Sequence, residues 1–132
     1  MIELDRQSIV DFVIREAALL DDGDLAGWLA LYAADCCYWI PAGPGERDPS
    51  REVSIVYDDR PRLESRLARL TSGKEYAQDP PSVTCHQLSN ISIGIEPDGG
   101  MIAVAAVQVV YECRPSTGLQ AVPTRVAWRL RV

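Results

Sequence analysis

The sequence predicts an α+β fold, with helices in the first half of the chain and antiparallel strands in the second. Segments before residue 73 repeat apolar residues at helical spacing, whereas segments after residue 82 show the alternation of strands. A Pro-Asp-Gly-Gly turn signal separates two of these strands. We expect a cone-like, curved antiparallel sheet with three helices packed on its concave side, in one domain spanning residues 1–132.

Two helices are predicted before the first strand. Asp5 or Ser8 can cap the first, Gly23 is placed to end it, and Asp24 can cap the second. Their apolar faces comprise Ile9, Val13, Ala17 and Leu20, then Leu25, Trp28, Leu29 and Tyr32. The Cys-Cys-Tyr-Trp-Ile segment that follows is predicted to be a strand closed by Pro41, with a loop over residues 43–50.

A third helix is predicted after Asp58 and Asp59. Pro61 falls in its first turn, where a missing backbone N–H costs little, and Gly73 is placed to end it. We expect a buried face of Leu63, Leu67 and Leu70 and a solvated flank of Arg62, Arg66 and Arg69.

Three longer strands are predicted in the second half. Leu88 interrupts the alternation of the first, so we expect a β-bulge near residues 87–90. The segment MIAVAAVQVVYEC is apolar on both faces, which indicates a central strand. After a Pro/Gly-rich loop, Thr124, Val126, Trp128, Leu130 and Val132 alternate with Arg125, Ala127, Arg129 and Arg131, which predicts a half-buried strand.

Charge and apolar content indicate a cytoplasmic protein. The net charge is −6, and an acidic chain repels phosphate backbones, which argues against nucleic acid as a partner. The chain start lacks signal-peptide features, and its apolar runs fall far below the ~18 residues of a membrane span. The cysteines lack CxxC spacing, so we expect Cys36, Cys37, Cys85 and Cys113 to be small buried hydrophobes.

The side-chain inventory excludes several kinds of site. A Rieske cluster needs two Cys and two His, and a non-haem iron triad needs two His and a carboxylate, but this chain has one histidine. No Cys or His pair has the spacing of a structural zinc site. The GxGxxG, GxxxxGK[ST] and GxSxG motifs are also absent.

Metal-free acid/base chemistry remains available to the one histidine, His86. A partner carboxylate would come from Asp35, Asp58 or Asp59, with Tyr38 or Tyr57 orienting a substrate. Such a site would suit a stand-alone dehydratase or isomerase acting on a small cyclic substrate. The alternative is a structural histidine whose ring is hydrogen-bonded within the fold.

Three ordered segments give the chain a family resemblance. The stretches REAALLDDGDLAGWLALYAADCCYWIP, SIVYDDRPRLESRLARLTSG and QDPPSVTCHQLSN resemble the small, or β, subunits of Rieske-type aromatic-ring-hydroxylating dioxygenases. Members often carry arginines where this chain has Val83 and Cys85, so contacts made by those arginines are in doubt here. Members also run on beyond the position of Val132, so we expect the sequence to be incomplete.

The resemblance implies a nuclear-transport-factor-2-like (cystatin-like, SnoaL-like) fold and a non-catalytic role. In that family the large α subunit carries the Rieske iron–sulfur cluster and a non-haem iron, and three β subunits assemble with three α subunits. It therefore implies no cofactor and no catalytic residue in this chain. Arg125, Arg129 and Arg131 are a candidate contact surface, although they also suit a solvated strand face.

Overall fold

The computed structural model describes residues 5–43, 50, 54–72, 82–96 and 100–131. In chain order the elements are α1 (Arg6–Asp21), α2 (Leu25–Leu29), β1 (Tyr38–Pro41), β2 (Ser54–Asp58), α3 (Arg60–Thr71), β3 (Val83–Ile95), β4 (Ile102–Arg114) and β5 (Gly118–Leu130). These three helices and the antiparallel strands confirm the predicted α+β class. The chain divides into two compact units, residues 1–24 with 80–132 and residues 25–79. The single domain stays a prediction.

The first unit contains a three-stranded antiparallel sheet in the order β3-β4-β5. The central position of β4 confirms the prediction from its two apolar faces. Pairing between β3 and β4 shifts register between Ser89 and Ser92, and Asn90 has a φ of 54°. This confirms the predicted bulge. Because the bulge inserts a residue, Leu88 lies on the same face as Ile93.

Helix α1 covers one face of this sheet, here called the inner face. Ile9 and Val13 of the helix pack with Ile102 and Val104 of β4 in a buried cluster. Partly buried apolar residues surround that cluster: Phe12, Leu88, Ile91, Ile93, Trp128 and Leu130. Burial of each large apolar side chain contributes roughly 1.5–3 kcal/mol, so this contact fixes α1 on the sheet.

Strand β5 begins earlier than the sequence predicted. The sequence predicted a Pro/Gly-rich loop before this strand, but the connection is a turn of only three residues. Arg114 already pairs with Gly118, and that glycine adopts a φ of 72°. Pro123 lies within β5, opposite Val109. A strand with no further neighbour among the described residues tolerates this missing N–H donor. The predicted alternation is confirmed, since Trp128 and Leu130 are half-buried while Arg129 is exposed.

The second unit contains α2, α3 and the antiparallel pair β1-β2. Asp59 caps α3 by accepting a hydrogen bond of 3.0 Å from the Arg62 amide, as predicted. Leu63 and Leu67 are buried, but Leu70 is 42% exposed in the last turn, so its predicted burial is wrong. The helix ends with Ser72 as its C-cap, and the predicted terminator at residue 73 lies outside the described residues.

An aromatic cluster occupies the second unit. Buried Trp28 contacts the rings of Tyr32 and Tyr38, with centroid distances of 4.7 and 5.5 Å. The Arg60 guanidinium donates hydrogen bonds to the carbonyls of Leu29 and Tyr32, which ties the start of α3 to the end of α2.

The cysteines differ from the prediction. Cys36 is half-buried, while Cys37, Cys85 and Cys113 are exposed. The expectation that all four are buried hydrophobes is therefore wrong, because Cys85 and Cys113 belong to the sheet face opposite α1. Within the described ranges, no helix has the length and apolar character needed to cross a membrane.

Candidate functional site

His86 lies on β3 and binds the carboxylate at the end of α1. Its Nδ1 is 2.5 Å from Asp21 Oδ1, and its backbone N–H donates to Asp21 Oδ2 over 2.8 Å. The Thr84 hydroxyl donates to the same carboxylate over 3.0 Å. An ionised carboxylate only accepts hydrogen bonds, so Nδ1 carries the ring proton. We call Asp21, Thr84 and His86 the helix-end cluster.

The placement of Asp21 is electrostatically unusual. A negative side chain in the last turn of a helix faces the negative end of the helix dipole, at a cost of about 0.3–1 kcal/mol. The donors on β3 offset this cost. The helix then ends normally, with Asp22 as its C-cap and Gly23 at a φ of 73°.

Burial alone would raise the pKa of Asp21. Hydrogen bonds from the His86 amide, the His86 ring and the Thr84 hydroxyl outweigh that effect, so the pKa of Asp21 lies below its ordinary value. The side chains of His86 and Asp21 are only 11% and 22% exposed. The pair thus joins α1 to β3 with a largely buried, charge-assisted contact. A carboxylate can also orient an imidazole for acid/base work in this way.

Asp21 was not among the candidate partners of His86. The sequence suggested Asp35, Asp58 or Asp59, all of which belong to the second unit, whereas His86 belongs to the first. Within the first unit, the carboxylate that binds His86 is Asp21. Asp21 does belong to the acidic turn of the first segment that resembles the β-subunit family. That segment gives no indication that Asp21 contacts His86.

The other candidate catalytic residues have structural partners of their own. Buried Asp58 accepts two hydrogen bonds from the Arg66 guanidinium, at 2.7 and 3.3 Å, and these hold the pKa of Asp58 below its ordinary value. Tyr57 is exposed with its ring edge-on to Trp39, and the neighbouring Cys37 raises the pKa of Tyr57. A catalytic role for His86, Asp58 and Tyr57 stays a prediction.

The remaining candidates also differ in their surroundings. Asp59 caps α3, Tyr38 packs in the aromatic cluster, and Asp35 is exposed. The arginine flank of α3 is solvated at Arg62 and Arg69, as expected, but Arg66 is half-buried against Asp58. These side chains, with Pro61 and Ser65, line an open depression of about 330 Å³.

The arginines of β5 form a less positive stripe than the sequence suggests. Arg125, Arg129 and Arg131 are all exposed. The Arg129 guanidinium makes two 2.7 Å hydrogen bonds to the Glu96 carboxylate, and these lower the pKa of Glu96. The positive charge of Arg129 is therefore largely compensated by the Glu96 carboxylate.

The described side chains do not fit a metal centre. Across the parts of the chain that the structure describes, no group of three or more His, Cys, Asp and Glu residues converges to hold an ion. The single histidine uses Nδ1 on Asp21. The chain therefore offers no ligand set here for the cluster or the iron that the family resemblance assigns to a large subunit.

Comparison with known proteins gives consistent matches. A family profile described as "Ring hydroxylating beta subunit" matches residues 15–131. The chain is 37% identical over 111 residues to the small oxygenase component of the p-cumate 2,3-dioxygenase system of Pseudomonas putida, covering 83% of this chain and 61% of that protein. It is 34% identical to the toluate 1,2-dioxygenase subunit beta of Pseudomonas putida, covering 70% and 60%. The chain thus spans about three fifths of the length of these relatives.

Solved structures agree. The beta subunit of benzoate 1,2-dioxygenase from Burkholderia mallei superposes with a TM-score of 0.82 at 25% identity, covering 99% of this chain and 83% of that chain. An NTF2-like protein with a cystatin-like fold from Novosphingobium aromaticivorans superposes with a TM-score of 0.61 at 20% identity, covering 96% and 71%. The latter likeness concerns the fold alone. With a family profile that matches residues 15–131, the chain belongs to the ring-hydroxylating β subunits.

Proposed function

We propose that this chain is the non-catalytic β subunit of a multicomponent aromatic-ring-hydroxylating dioxygenase in the cytoplasm. It assembles with an iron-containing α subunit, and three copies join three α subunits. The family match over residues 15–131 carries this proposal. The helix-end cluster supports it, because the only histidine is engaged in holding α1 to β3. The metal centres and the substrate pocket are then supplied by the α subunit.

The assembly role is tested by gentle affinity purification of the chain from cells that also express a large, iron-containing dioxygenase subunit. Native mass and the visible absorption spectrum are recorded on the same fraction. We expect a complex with three copies of each subunit and iron–sulfur absorbance. A colourless oligomer without a heavier subunit contradicts the proposal.

The assembled oxygenase is proposed to act on an aromatic carboxylate. The relatives are named for p-cumate, toluate, 2-halobenzoate and benzoate, all of which are aromatic acids. Oxygen uptake by the purified complex with benzoate, and with benzene as the matched control without a carboxylate, tests this class. Uptake with benzene alone contradicts it.

A stand-alone dehydratase or isomerase is the second candidate, favoured only by the Asp21–His86 geometry. His86→Gln separates the two functions. If His86 is structural, the variant assembles less complex, but each assembled iron centre turns over at the ordinary rate. If His86 is catalytic, the variant folds and assembles normally and an intrinsic activity of the isolated chain is lost.

The β5 arginines are proposed to lie at a subunit contact. Arg125 is the most informative of the three, because Arg129 already binds Glu96. Arg125→Glu should weaken assembly, whereas Arg62→Glu, a matched change at an exposed arginine of α3, should not. Equal effects of the two variants on the native mass contradict this placement.

A further inference from the structure

Four polar residues of α3 lie together on one side of the helix, at the open depression of the second unit. Arg62, Ser65, Arg66 and Arg69 have the spacing i, i+3, i+4 and i+7, which places side chains next to one another on a helix surface. All four line the depression, and Asp58 lies beside them. We call Arg62, Ser65, Arg66 and Arg69 the arginine face.

The charges at the arginine face are not balanced. Three guanidinium groups line the depression with one carboxylate, Asp58, which leaves an excess of two positive charges. Glu64 lies on the same helix, but its carboxylate binds Arg60 at 2.8 Å. Asp59 caps the helix by accepting the backbone N–H of Arg62. Because like charges repel and a concave surface of one sign attracts counter-ions, this depression favours an anion although the whole chain carries −6.

Arg66 is held in place with donors to spare. Its Nε and Nη2 atoms donate to Asp58 over 2.7 and 3.3 Å, and the Asp58 side chain is only 7% exposed. This contact uses one edge of the planar guanidinium. The Nη1 atom, which has two N–H donors, binds no residue that the structure describes. Asp58 therefore fixes the orientation of Arg66 without using all of its donors.

The guanidinium groups of Arg62 and Arg69 flank this fixed group. Both side chains are exposed, and neither forms a hydrogen bond or an ion pair within the described ranges. At 1.5 Å per residue their backbone positions are about 10 Å apart along the helix, with Ser65 and Arg66 between them. The pKa of Asp58 is lowered by Arg66 and also by Arg62 and Arg69, so the three positive charges act on one point.

We propose that the arginine face binds a phosphate group, either inorganic phosphate or the phosphate of a small monoester. The planar fork of N–H donors in a guanidinium matches the geometry of phosphate oxygens. A phosphate group carries a charge of about −1.5 to −2 at pH 7, which matches the excess of two positive charges better than a carboxylate does. Arg62 and Arg69 close on the group from two sides, while Ser65 and Arg66 donate from between them. This site goes beyond the proposed assembly role and does not depend on it.

The double variant Arg62→Gln with Arg69→Gln tests the site by isothermal titration calorimetry of the full chain with inorganic phosphate. Both positions are exposed, so the variant is expected to fold. Arg66 is left intact, because its loss would leave the buried Asp58 carboxylate without its ion pair. We expect the Kd for phosphate to rise at least about tenfold, since two charge-assisted contacts are lost.

The matched control is Arg15→Gln with Arg125→Gln. It removes the same two positive charges from exposed positions outside α3. Exposed charges more than a Debye length apart are largely screened, so the Kd of the control should change by less than about twofold. Equal weakening in the two double variants would mean that phosphate responds only to the net charge of the chain, and this overturns the proposal.

The pH dependence of binding distinguishes a phosphate site from a general attraction of anions. A phosphate monoester gains its second negative charge at a pKa of about 6. Sulfate keeps its charge over this range, and so do the groups that face the ligand, because Asp58 has a lowered pKa and the arginines stay protonated. The affinity for phenyl phosphate relative to sulfate should therefore rise between about pH 5 and about pH 7.5. A constant ratio overturns the proposal.

The remaining outcomes identify the ligand or reject the site. Tighter binding of phenyl phosphate than of inorganic phosphate supports a monoester as the ligand, and the reverse order supports the free ion. A wild-type chain that binds neither probe overturns the proposal. If the Arg62 and Arg69 double variant only loses a large subunit, the arginine face is a protein contact and the proposal also fails. Because every titration uses the isolated chain, failure of the assembly role leaves these results unchanged.

Discussion

At the residue scale, Asp21 is a negative charge at the C-terminal end of α1, where the helix dipole disfavours it. Hydrogen-bond donors of β3 stabilise it there. Asp21→Ala would leave the His86 amide, the His86 ring and the Thr84 hydroxyl without their acceptor. A buried donor left without an acceptor lowers the free energy of unfolding by about 1–3 kcal/mol. We expect the free energy of unfolding to fall by that amount in urea titration. Asp22→Ala, at the exposed neighbouring residue, should change it by less than about 0.5 kcal/mol.

The lowered pKa of Asp21 predicts a pH dependence of stability. Its ordinary value is 3.8, and the folded chain holds it lower, so the unfolded state binds more protons near that pH. The stabilisation is complete above the unfolded-state pKa and is lost as the pH falls through the folded-state pKa.

Urea unfolding of the wild type and of Asp21→Asn at several pH values measures this contribution. The stability difference between them should shrink as the pH falls below about 4. Asp58 titrates in the same direction against Arg66 in both proteins, so it cancels in the comparison. A difference that grows as the pH falls below about 4 contradicts the assignment.

The sequence supports part of this residue-level picture. A lone histidine on a strand is predictable as a hydrogen-bonded group. Its partner is not, because Asp21 lies 65 positions away and neither helical nor strand periodicity relates the two. The exposure of Cys85 and Cys113 was equally hidden, since residue type favours burial and only the strand register shows which face they occupy.

At the scale of elements, α3 shows where periodicity predicts burial and where it does not. Leu63 is fully buried, whereas Leu70 lies in the last turn and is 42% exposed, although both have the same helical phase. Leu63→Ala should lower the midpoint of thermal unfolding by an amount that corresponds to about 2–5 kcal/mol. Leu70→Ala should cost less than about 1 kcal/mol. Similar losses for the two variants would contradict the packing described for α3.

Elements with strong local signals were predictable, and short or atypical ones were not. Leu88 broke the alternation of β3, and that break correctly indicated the bulge. Strand β2 has only five residues and was not predicted, because so short a segment gives little periodicity. The early part of β5 contains Pro123 and follows Gly118, so its composition resembled a loop until its pairing with β4 was known.

At the scale of the whole molecule, β4 is the central strand of the three-stranded sheet. It is paired on both sides and contributes Ile102, Val104 and Ala106 to the buried core. Its amides should exchange most slowly with solvent, because they open only in large-scale unfolding. In hydrogen–deuterium exchange measured by mass spectrometry, peptides from β4 should be much better protected than peptides from β1 and β2. The reverse order would contradict the role of β4 as the centre of the sheet.

The fold class was predictable at this scale because helical and strand patterns occupy separate halves of the chain. The binding of His86 by Asp21 was not predictable, since it depends on which strand lies beside the end of α1.

The two-sided apolar character of β4 has a consequence for how cells produce this protein. A copy in which the sheet face opposite α1 stays exposed after synthesis would carry a contiguous apolar surface into a crowded solution. Surplus copies would then be the first to precipitate or to engage chaperones. Synthesis of this chain in step with a partner that covers the face would keep the apolar surface away from solvent.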